Sequence, residues 1–521
     1  MTTPPVERSE DVAERPAEGG PDGELGSGLG SGLGLGLGLG DERDGGQSGA
    51  EAGVRTDGEW RMPPGLPRSL PFYFHKPWAK IGQPIRLFEH LQKVYGRVAC
   101  YRFMGTWIVF VNDPEMIREI LINRAPAFVK ERTLKRMKIL LGEGLITSDD
   151  PIHMRQRKIA APAFHRQRIQ AYAGQIVLSA EAHAAGWREG QEIDIHDAMM
   201  RLSLEITART LFDTEVNADV RSINDEVNLI MGIYNYLIAF PALERVLHWP
   251  IPGVVKFRRS RARLDGIVNR IVVERRREIA AGADDRGDLL SMLLASRYEA
   301  EDAGAGQEGM TDRQVRDEVL TIFLAGYETV ANAMAWTWYL LSQNASVEKE
   351  MQAELDRVLG VLGDAGERRL PTLADYPELK YTEQVFAEAM RLYPPAWAMG
   401  RMSTEAVELG PYRIPPGAHF FFSQYVMHRS EEFWAEPLKF DPGRHTAEAK
   451  AARPKFVYFP FGGGGRQCIG ESFAWMEGVL AIATVASRWR MEYLGVREPE
   501  LQAKITLRPK EALRMRLVGR G

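Results

Sequence analysis

One long apolar segment limits what this chain can fold into more than any other feature. It reads TDRQVRDEVLTIFLAGYETVANAMAWTWYLLSQN and runs from Thr311 to Asn344. Thr311 and Gln314 have the spacing of a capping box, in which two side chains satisfy backbone N–H groups at the start of a helix. A helix of this length extends on the order of 50 Å at about 1.5 Å per residue. Its centre is apolar on nearly every side, so we expect it to be buried and to cross the middle of a domain.

The centre of this helix contains the unusual sequence AGYET. Gly326 costs about 1 kcal/mol relative to alanine in a helix interior. Glu328 places a carboxylate in an apolar segment, and Thr329 can donate a hydrogen bond to the Ala325 carbonyl and bend the helix. Two interpretations are open. The glycine either permits a close helix crossing beside a satisfied polar pair, or forms a recess that holds a small molecule next to an acid and an alcohol that deliver protons.

The rest of the chain predicts one large domain preceded by a tail. Residues 1–60 include GSGLGSGLGLGLGLG, whose glycine content makes ordering entropically unfavourable, so we predict a disordered tail rich in Gly, Leu and Ser. Residues 61–521 show no second shift in composition. A hairpin signal around MGT and β signals near Gly410–Ile414 predict small sheets in a mainly helical chain. Asp113 before Pro114 predicts the N-cap of a helix. The predicted class is therefore mainly α with small β-sheets.

Charge and cysteine content exclude several classes of function. The chain has 66 Lys and Arg against 70 Asp and Glu, a net charge of −4, which gives no indication of nucleic-acid binding. Two distant cysteines do not form a disulfide framework and indicate a reducing compartment. There is no apolar run of about 18 residues and no basic, apolar leader. We therefore expect a cytoplasmic protein with neither a transmembrane anchor nor a signal peptide.

A candidate ionic cluster lies further along the chain. EAMRLYPP places Glu388 and Arg391 three residues apart, on one face of a helix that the two prolines end. Arg444, in the turn FDPGRH, could complete a buried cluster. An exposed ion pair of this kind contributes little to the stability of the fold. A buried cluster fixes the geometry of the surrounding chain more than it adds to that stability.

The most informative short segment is FGGGGRQCIG, from Phe461 to Gly470. A cysteine that serves only packing is usually buried in regular structure, a nucleophile needs a nearby base, and a phosphate loop needs a Gly-Lys-Ser/Thr ending. An axial metal ligand fits Cys468 best, because glycines let the backbone approach a flat cofactor and turn N–H groups toward the sulfur. Arg466 supplies a positive charge that can bind anionic groups of the cofactor and help to keep the thiolate ionised. One thiolate cannot build a zinc or iron–sulfur site, but a porphyrin supplies the other donors.

The chain resembles the soluble bacterial members of the cytochrome P-450 family, which are haem-thiolate monooxygenases. The family's loop F-x-x-G-x-R-x-C-x-G is matched at every defined position, by Phe461, Gly464, Arg466, Cys468 and Gly470. The order and spacing of the motifs agree over about residues 62–521. The resemblance implies the cytochrome P-450 fold, with the long central helix crossing the domain over the haem.

The resemblance also implies roles for individual residues. Cys468 would be the iron ligand, and the other defined residues of the loop would bind the cofactor with it. AGYET resembles the family's oxygen-activating stretch, so Glu328 and Thr329 would be the catalytic acid–alcohol pair, with Ala325 and Gly326 as cofactor contacts.

Three more positions would bind the haem propionates by resemblance. Arg401 stands where the family often places an arginine for this purpose. DDPIHMRQRKIAAPAF resembles the propionate-binding helix, with His153 and Arg157 as the contacts, although many members have tryptophan in place of His153. The family's structural Glu-Arg-Arg cluster corresponds to Glu388, Arg391 and Arg444, but its turn usually reads P-E-R-F and here reads P-G-R-H.

The implied activity is insertion of one atom of O2 into a lipophilic substrate such as a fatty acid or terpenoid. The implied cofactor is haem b, iron protoporphyrin IX, with the thiolate favouring O–O cleavage. The chain has no flavin or iron–sulfur motif, so NAD(P)H would supply electrons through a separate ferredoxin or flavodoxin and its reductase. The expected pocket is largely apolar and is lined by Ala325, Thr329, Met137–Ile146, PPAWAMG, Ile233–Phe240 and Ile505–Leu507.

Three alternatives remain open at this point. The first is a peroxide-driven or non-redox haem-thiolate enzyme, against which an intact proton-delivery pair argues. The second is a haem-based sensor or carrier, which has little use for a large apolar pocket. The third is a cysteine hydrolase without haem, for which the local sequence signature is missing.

Overall fold

The long central helix forms where the sequence predicts it. In the computed structural model it spans Asp312–Gln343, with Thr311 as N-cap and Gln314 completing the capping box. Nearly every residue from Val315 to Leu341 is buried, as the apolar circumference requires. The structure describes residues 55–80, 83–214, 226, 229–230, 249–282, 287–296, 309–361 and 368–520.

Helices make up most of the described ranges. In chain order the α-helices are α1 (Pro84–Tyr95), α2 (Pro114–Arg118), α3 (Arg132–Arg136), α4 (Lys138–Leu141), α5 (Ile152–Ala160), α6 (Arg166–Ala184), α7 (Ile195–Leu211), α8 (Pro252–Ala280), α9 (Leu289–Ala295), α10 (Asp312–Gln343), α11 (Ala345–Leu359), α12 (Lys380–Leu392), α13 (Gln424–Met427), α14 (Ala447–Ala452) and α15 (Glu471–Ala486). Short 3-10 turns, and a π-helical turn at Glu119–Asn123, connect several of them.

The strands are short. They are β1 (Arg55–Asp57), β2 (Trp60–Met62), β3 (Val98–Phe103), β4 (Thr106–Val111), β5 (Phe128–Lys130), β6 (Glu192–Asp194), β7 (Met399–Ser403), β8 (Val407–Leu409), β9 (Tyr412–Ile414), β10 (His419–Phe422), β11 (Trp489–Tyr493), β12 (Leu501–Ala503), β13 (Leu507–Pro509) and β14 (Arg514–Gly519). They pair in the orders β1-β2-β9-β8, β3-β4-β10-β7-β5, β11-β14-β6 and β12-β13. The predicted class, mainly α with small sheets, is confirmed.

The predicted hairpin is the start of the largest described sheet. β3 and β4 pair antiparallel, with Phe103 opposite Thr106, and the two residues between them have positive φ angles, 48° at Met104 and 81° at Gly105. This backbone suits a tight hairpin, because its twist matches that of the strands. Just after β4, the Asp113 side chain accepts N–H bonds from residues 115 and 116 and begins α2, as predicted.

Regular structure begins slightly before the predicted boundary. β1 lies within the last residues of the segment predicted as a tail, and β2 crosses the boundary, with its Arg61 paired with Arg413 of β9. The rest of the tail prediction falls outside the described residues. Every described residue belongs to one compact unit. Within the described ranges, no helix has both the length and the hydropathy needed to cross a lipid bilayer.

The helices around α10 carry an unusual buried acid. α7 and α15 both pack against α10, and Ser203 of α7 donates a hydrogen bond to Glu477 of α15. Both side chains are completely buried. Burial raises the pKa of Glu477 to about 8, and the Ser203 hydrogen bond only partly offsets this. Glu477 is therefore a neutral acid in the folded protein at pH 7.

We expect Glu477→Gln to flatten the pH dependence of stability. Between pH 4.5 and about 8 the unfolded chain has Glu477 ionised and the folded chain has it protonated. The folded state therefore binds more protons, and the wild type loses up to about 1.4 kcal/mol of stability per pH unit from this group as pH rises. Glutamine keeps the acceptor for Ser203 but does not titrate. Urea unfolding of both proteins at pH 5, 6, 7 and 8 measures the difference, and parallel curves would contradict the assignment.

Candidate functional site

The loop before α15 holds Cys468 in a tightly constrained backbone. The Cys468 N–H donates to the Phe461 carbonyl at 3.0 Å and closes the loop. Gly462 and Gly464 have φ angles of 75° and 71°, which favour glycine. A Cβ on Gly464 would lie 2.0 Å from the carbonyl oxygen of Leu121, so only glycine fits that close approach. The glycines of the motif therefore have a defined role in this backbone.

The Cys468 thiol is accessible and yet has many protein atoms around it. The residue is exposed, while the surrounding protein raises the pKa of the thiol to about 11 by desolvation, against the effect of a hydrogen bond from the Gly470 N–H. A thiol in this setting is neutral at pH 7 unless a cation binds the sulfur directly.

Arg466 does not act on the thiol as the sequence suggested. Its guanidinium donates to the Ser148 carbonyl at 3.2 Å and to the Asp150 carboxylate at 3.1 Å. Arg157 is the arginine whose charge lowers the pKa of Cys468, and its guanidinium donates to the Gln467 carbonyl at 2.8 Å. Arg157 therefore supports the cysteine loop. Its predicted contact with a propionate stays a prediction.

The middle of α10 presents one accessible face. Between Val315 and Leu341 every residue is buried except Ala325, Gly326 and Thr329. These three lie one helical turn apart or less, so they form one small face in the interior of the protein. The Thr329 hydroxyl donates to the Ala325 carbonyl at 2.9 Å, which confirms the predicted back-bond.

Gly326 also serves helix packing. A Cβ on this residue would lie 3.2 Å from the Thr207 Cγ2 atom of α7, which is tighter than ordinary contact. The packing interpretation left open by the sequence thus has direct support, and a cofactor contact at Gly326 stays a prediction. Tyr327, the neighbouring residue, is completely buried and does not reach the accessible face.

Glu328 is on a different face of α10 from Thr329. It is buried, and its carboxylate accepts a hydrogen bond from the Thr506 hydroxyl, on the turn between β12 and β13. The sequence named residues 505–507 only as pocket lining, so this contact was missed. Because the two residues are far apart in the chain, no local pattern could have revealed it.

The Arg466 side chain joins a group of buried and partly buried titratable side chains, called the cation cluster below. Its members are Lys130, His153, Arg401 and Arg466, with Asp149 and Asp150 as counter-ions. The sequence predicted His153, Arg401 and Arg466 as cofactor-binding residues but missed Lys130. A lysine that ends the short apolar strand AFVK was the only available signal.

The cation cluster brings basic side chains together where water does not stabilise their charge. Lys130 and Arg401 are directly opposite in the β5–β7 pairing, where like charges repel. The Lys130 side chain is 4% exposed, and desolvation together with the Arg466 charge lowers its pKa to about 6. The same two causes lower the pKa of Arg401 to about 10. Buried cations in this condition favour an anionic ligand.

His153 contributes to the cluster as a neutral ring. Its side chain is buried, and its Nδ1 atom lies 3.2 Å from the Asp150 carboxylate. Desolvation and the charges of Lys130 and Arg466 lower its pKa to about 4. The ring is therefore uncharged at pH 7 and adds a hydrogen-bonding group without adding to the repulsion.

The predicted ionic cluster is present and buried. The Glu388 carboxylate receives both Arg391 Nε and Nη2, at 2.7 and 2.8 Å, and both side chains have no exposed surface. Arg444 lies 3.4 Å from the same carboxylate. His445 adds a fourth member, with Nε2 at 2.9 Å from Glu388 Oε2. This histidine occupies the position where the sequence departs from P-E-R-F, so the departure adds a polar partner to the cluster.

Comparison with known proteins gives the family. The Cytochrome P-450 family model matches residues 63–514. Cyclooctatin synthase of Streptomyces melanosporofaciens is 37% identical over 402 residues, which cover 77% of this chain and 83% of the relative. Cyclooctat-9-en-7-ol 5-monooxygenase of the same organism is 35% identical over 427 residues, covering 82% and 88%. Pentalenene oxygenase of Streptomyces avermitilis is 30% identical over 456 residues, covering 87% and 97%.

A solved structure agrees with these relatives on the fold. The crystal structure of the cytochrome P-450DA haem domain superimposes with a TM-score of 0.75 at 24% identity, covering 88% of this chain and 98% of that chain. The chain belongs to the cytochrome P-450 family. It is a monooxygenase that uses haem iron and O2, receives electrons from redox partners and acts on a lipophilic substrate.

The residues described above fit a haem. Cys468 offers an accessible sulfur that already accepts an N–H bond from Gly470. The accessible face of α10 has small side chains, which leave room for a ligand beside the helix. The cation cluster offers basic side chains whose pKa desolvation lowers, and propionate carboxylates would give them charge-assisted acceptors.

We expect Lys130→Met to weaken haem retention. An anionic propionate would restore the positive charge of Lys130 and gain a charge-assisted bond, whereas methionine keeps the buried volume and loses the charge. Haem transfer to an excess of a haem-scavenging protein should be about tenfold faster in the variant, equivalent to one bond of this kind. Lys138→Met is the matched control, since the Lys138 ammonium pairs with Glu143 in a half-exposed bridge. Equal rates for Lys130→Met and the wild type would contradict the role.

Proposed function

We propose that this monooxygenase oxidises a terpenoid hydrocarbon or alcohol, with Cys468 as the ligand of the haem iron. The observation that carries the assignment of the site is the accessible Cys468 thiol in the glycine loop just before α15. The helix α10, which presents the face formed by Ala325, Gly326 and Thr329, packs against α15.

The bound haem supplies the redox chemistry of O2, by which one oxygen atom enters the substrate and the other leaves as water. Cys468 contributes the thiolate, which the Gly470 N–H stabilises as an anion. The cation cluster would hold the propionates and so orient the cofactor. His153 and Arg401 act there with Lys130 and Arg466 as donors.

Proton delivery is assigned to the acid and the alcohol of α10. The Thr329 hydroxyl is on the accessible face and donates to the Ala325 carbonyl, so it keeps an acceptor lone pair available on the same side. Glu328 is buried one residue away and is the nearest carboxyl in the chain sequence. The Glu328 carboxylate takes up a proton and gives it up again, and the Thr329 hydroxyl accepts a hydrogen bond from the group that carries the proton on the accessible face.

The choice of a terpenoid over a fatty acid rests on the relatives. One relative is named for pentalenene, an unsaturated hydrocarbon, and another for cyclooctat-9-en-7-ol, an unsaturated alcohol. Neither substrate has a carboxylate. We assign a substrate of this class to the present chain. We also propose that its electrons come from NAD(P)H through a ferredoxin or flavodoxin and its reductase, and that the protein works in the cytoplasm.

The ligand assignment predicts a thiolate-type spectrum. Purified protein, reduced and exposed to carbon monoxide, should give a strongly red-shifted Soret band, because a thiolate donates charge to the iron. Cys468→Ala should lose the shift, while Cys100→Ala, which removes the other, buried cysteine, should keep it. An unshifted band in the wild type would contradict the proposal.

The substrate assignment predicts selective binding. Titrations of the ferric protein should give a substrate-type spectral change with terpenoid hydrocarbons and none with fatty acids of the same carbon number. Product should form with NAD(P)H and surrogate redox partners. Product with peroxide alone, and none with reductant and partners, would favour the peroxide-driven alternative.

A further inference from the structure

We propose that Thr506 is a positioning residue for Glu328, and that a chain of hydrogen bonds from α7 fixes the direction of its hydroxyl. The inference rests on the proposed role of Glu328 in proton delivery. The chain joins three elements that are distant in sequence, namely the start of α7, the middle of α10 and the turn between β12 and β13. It consists of His196, Asn332, Thr506 and Glu328.

The orientation of Asn332 decides the direction of the whole chain. One of its side-chain atoms lies 2.8 Å from the main-chain carbonyl of Glu328, which can only accept, so that atom is the amide nitrogen Nδ2. The other atom, Oδ1, then faces His196 Nε2 at 2.9 Å and must accept from it. His196 therefore carries a proton on Nε2 in either charge state.

The same logic fixes the Thr506 hydroxyl. The second hydrogen of Asn332 Nδ2 points to Thr506 Oγ1, which lies 3.4 Å away and accepts it as a weak bond. Thr506 has one hydrogen of its own, and the Glu328 carboxylate is its acceptor. Each donor along the chain thus points toward Glu328. Such an arrangement holds one oxygen of the Glu328 carboxylate in place.

Thr506 is itself held in a rigid setting. The turn is fixed on both sides of Thr506, since the Trp397 indole donates to the Lys504 carbonyl at 2.8 Å and the Leu507 N–H donates to the Pro395 carbonyl at 2.9 Å. Thr506 is 5% exposed. The hydroxyl is therefore presented to Glu328 by a backbone that two other segments anchor, which is how a positioning residue keeps its geometry.

Other charged and polar groups face Glu328 from the elements around it. They are Lys504 and Arg508 on the β12–β13 hairpin, Tyr327 on α10 itself and, through Asn332, His196 on α7. Among these partners Thr506 alone has a described hydrogen bond to the carboxylate. Removing its hydroxyl is thus the cleanest way to test the inference while the surrounding charges stay unchanged.

The test compares four variants with the wild type in the haem-loaded protein. Thr506→Val removes the hydroxyl and keeps the shape, Thr506→Ser keeps the hydroxyl, and Glu328→Gln removes the acid. Thr337→Val is the matched control, because this buried threonine of α10 donates only to the Ala333 carbonyl in the described contacts. The double variant Thr506→Val with Glu328→Gln shows whether the two residues act together.

Two readouts are measured. The first is the infrared band of the carboxyl group that disappears in Glu328→Gln, recorded at one pH without turnover. Thr506→Val should shift this band, because the carboxyl group loses one hydrogen bond, and Thr506→Ser should restore its position. The second is the fraction of the consumed electrons that is recovered in product. The remaining electrons are measured as peroxide. This fraction should fall roughly tenfold in Thr506→Val and recover in Thr506→Ser.

The outcomes separate the inference from the proposed function. If the double variant is no worse than Glu328→Gln, and Thr337→Val behaves as wild type, Thr506 acts through Glu328. If Thr506→Val changes neither readout while Glu328→Gln lowers product, the positioning role is wrong and the acid keeps its role. If Thr506→Val lowers product equally in the Glu328→Gln background, Thr506 acts on the substrate instead. If Glu328→Gln leaves product unchanged, both the inference and the role of the acid are wrong.

Discussion

The placement of the cysteine loop depends on one buried carboxylate. Glu388 binds Arg391, and the free N–H groups of Arg391 bind the carbonyls of residues 428, 437 and 439, so that one ion pair holds a long irregular stretch of backbone. His428 then accepts the N–H of Phe459, two residues before the loop begins. Breaking a buried pair of this kind leaves an uncompensated charge, which costs roughly 3–5 kcal/mol. The ion pair of Glu388 and Arg391 thereby holds in place a stretch of backbone that forms neither helix nor strand.

Sequence patterns predicted what local rules determine. The capping box at Thr311, the hairpin turn at residues 104–105 and the N-cap at Asp113 each involve residues a few positions apart, and each is present. Lys130 and Thr506 were missed because their roles come from partners more than 100 residues away. His445 was noticed only as a departure from a motif. Its contact with Glu388 required the fold, because a sequence does not show which polar side chain replaces an apolar one as a partner.

Two kinds of polar cluster occur in this protein, and they serve different ends. The Glu388 carboxylate accepts from Arg391 and lies beside His445, so its partners belong to the chain and the cluster fixes structure. In the cation cluster, the Lys130 ammonium and the Arg401 guanidinium donate to main-chain carbonyls, and desolvation lowers the pKa of both. An anion bound there would gain charge-assisted hydrogen bonds from these groups. Basic side chains without a carboxylate acceptor therefore point to a binding site more directly than burial does.

The largest described sheet also sets an order of events during synthesis. β4 pairs in parallel with β10, so Ile108 lies opposite His419, and about three hundred residues separate the two partners. Closing so long a loop is slow, and contacts of high sequence separation form late in folding. The hairpin of β3 and β4 therefore leaves the ribosome with one edge unpaired while most of the chain is still to be made. Edge strands in that condition associate readily with other chains, so the nascent protein has its greatest need of chaperones before the segment that carries Cys468 has emerged.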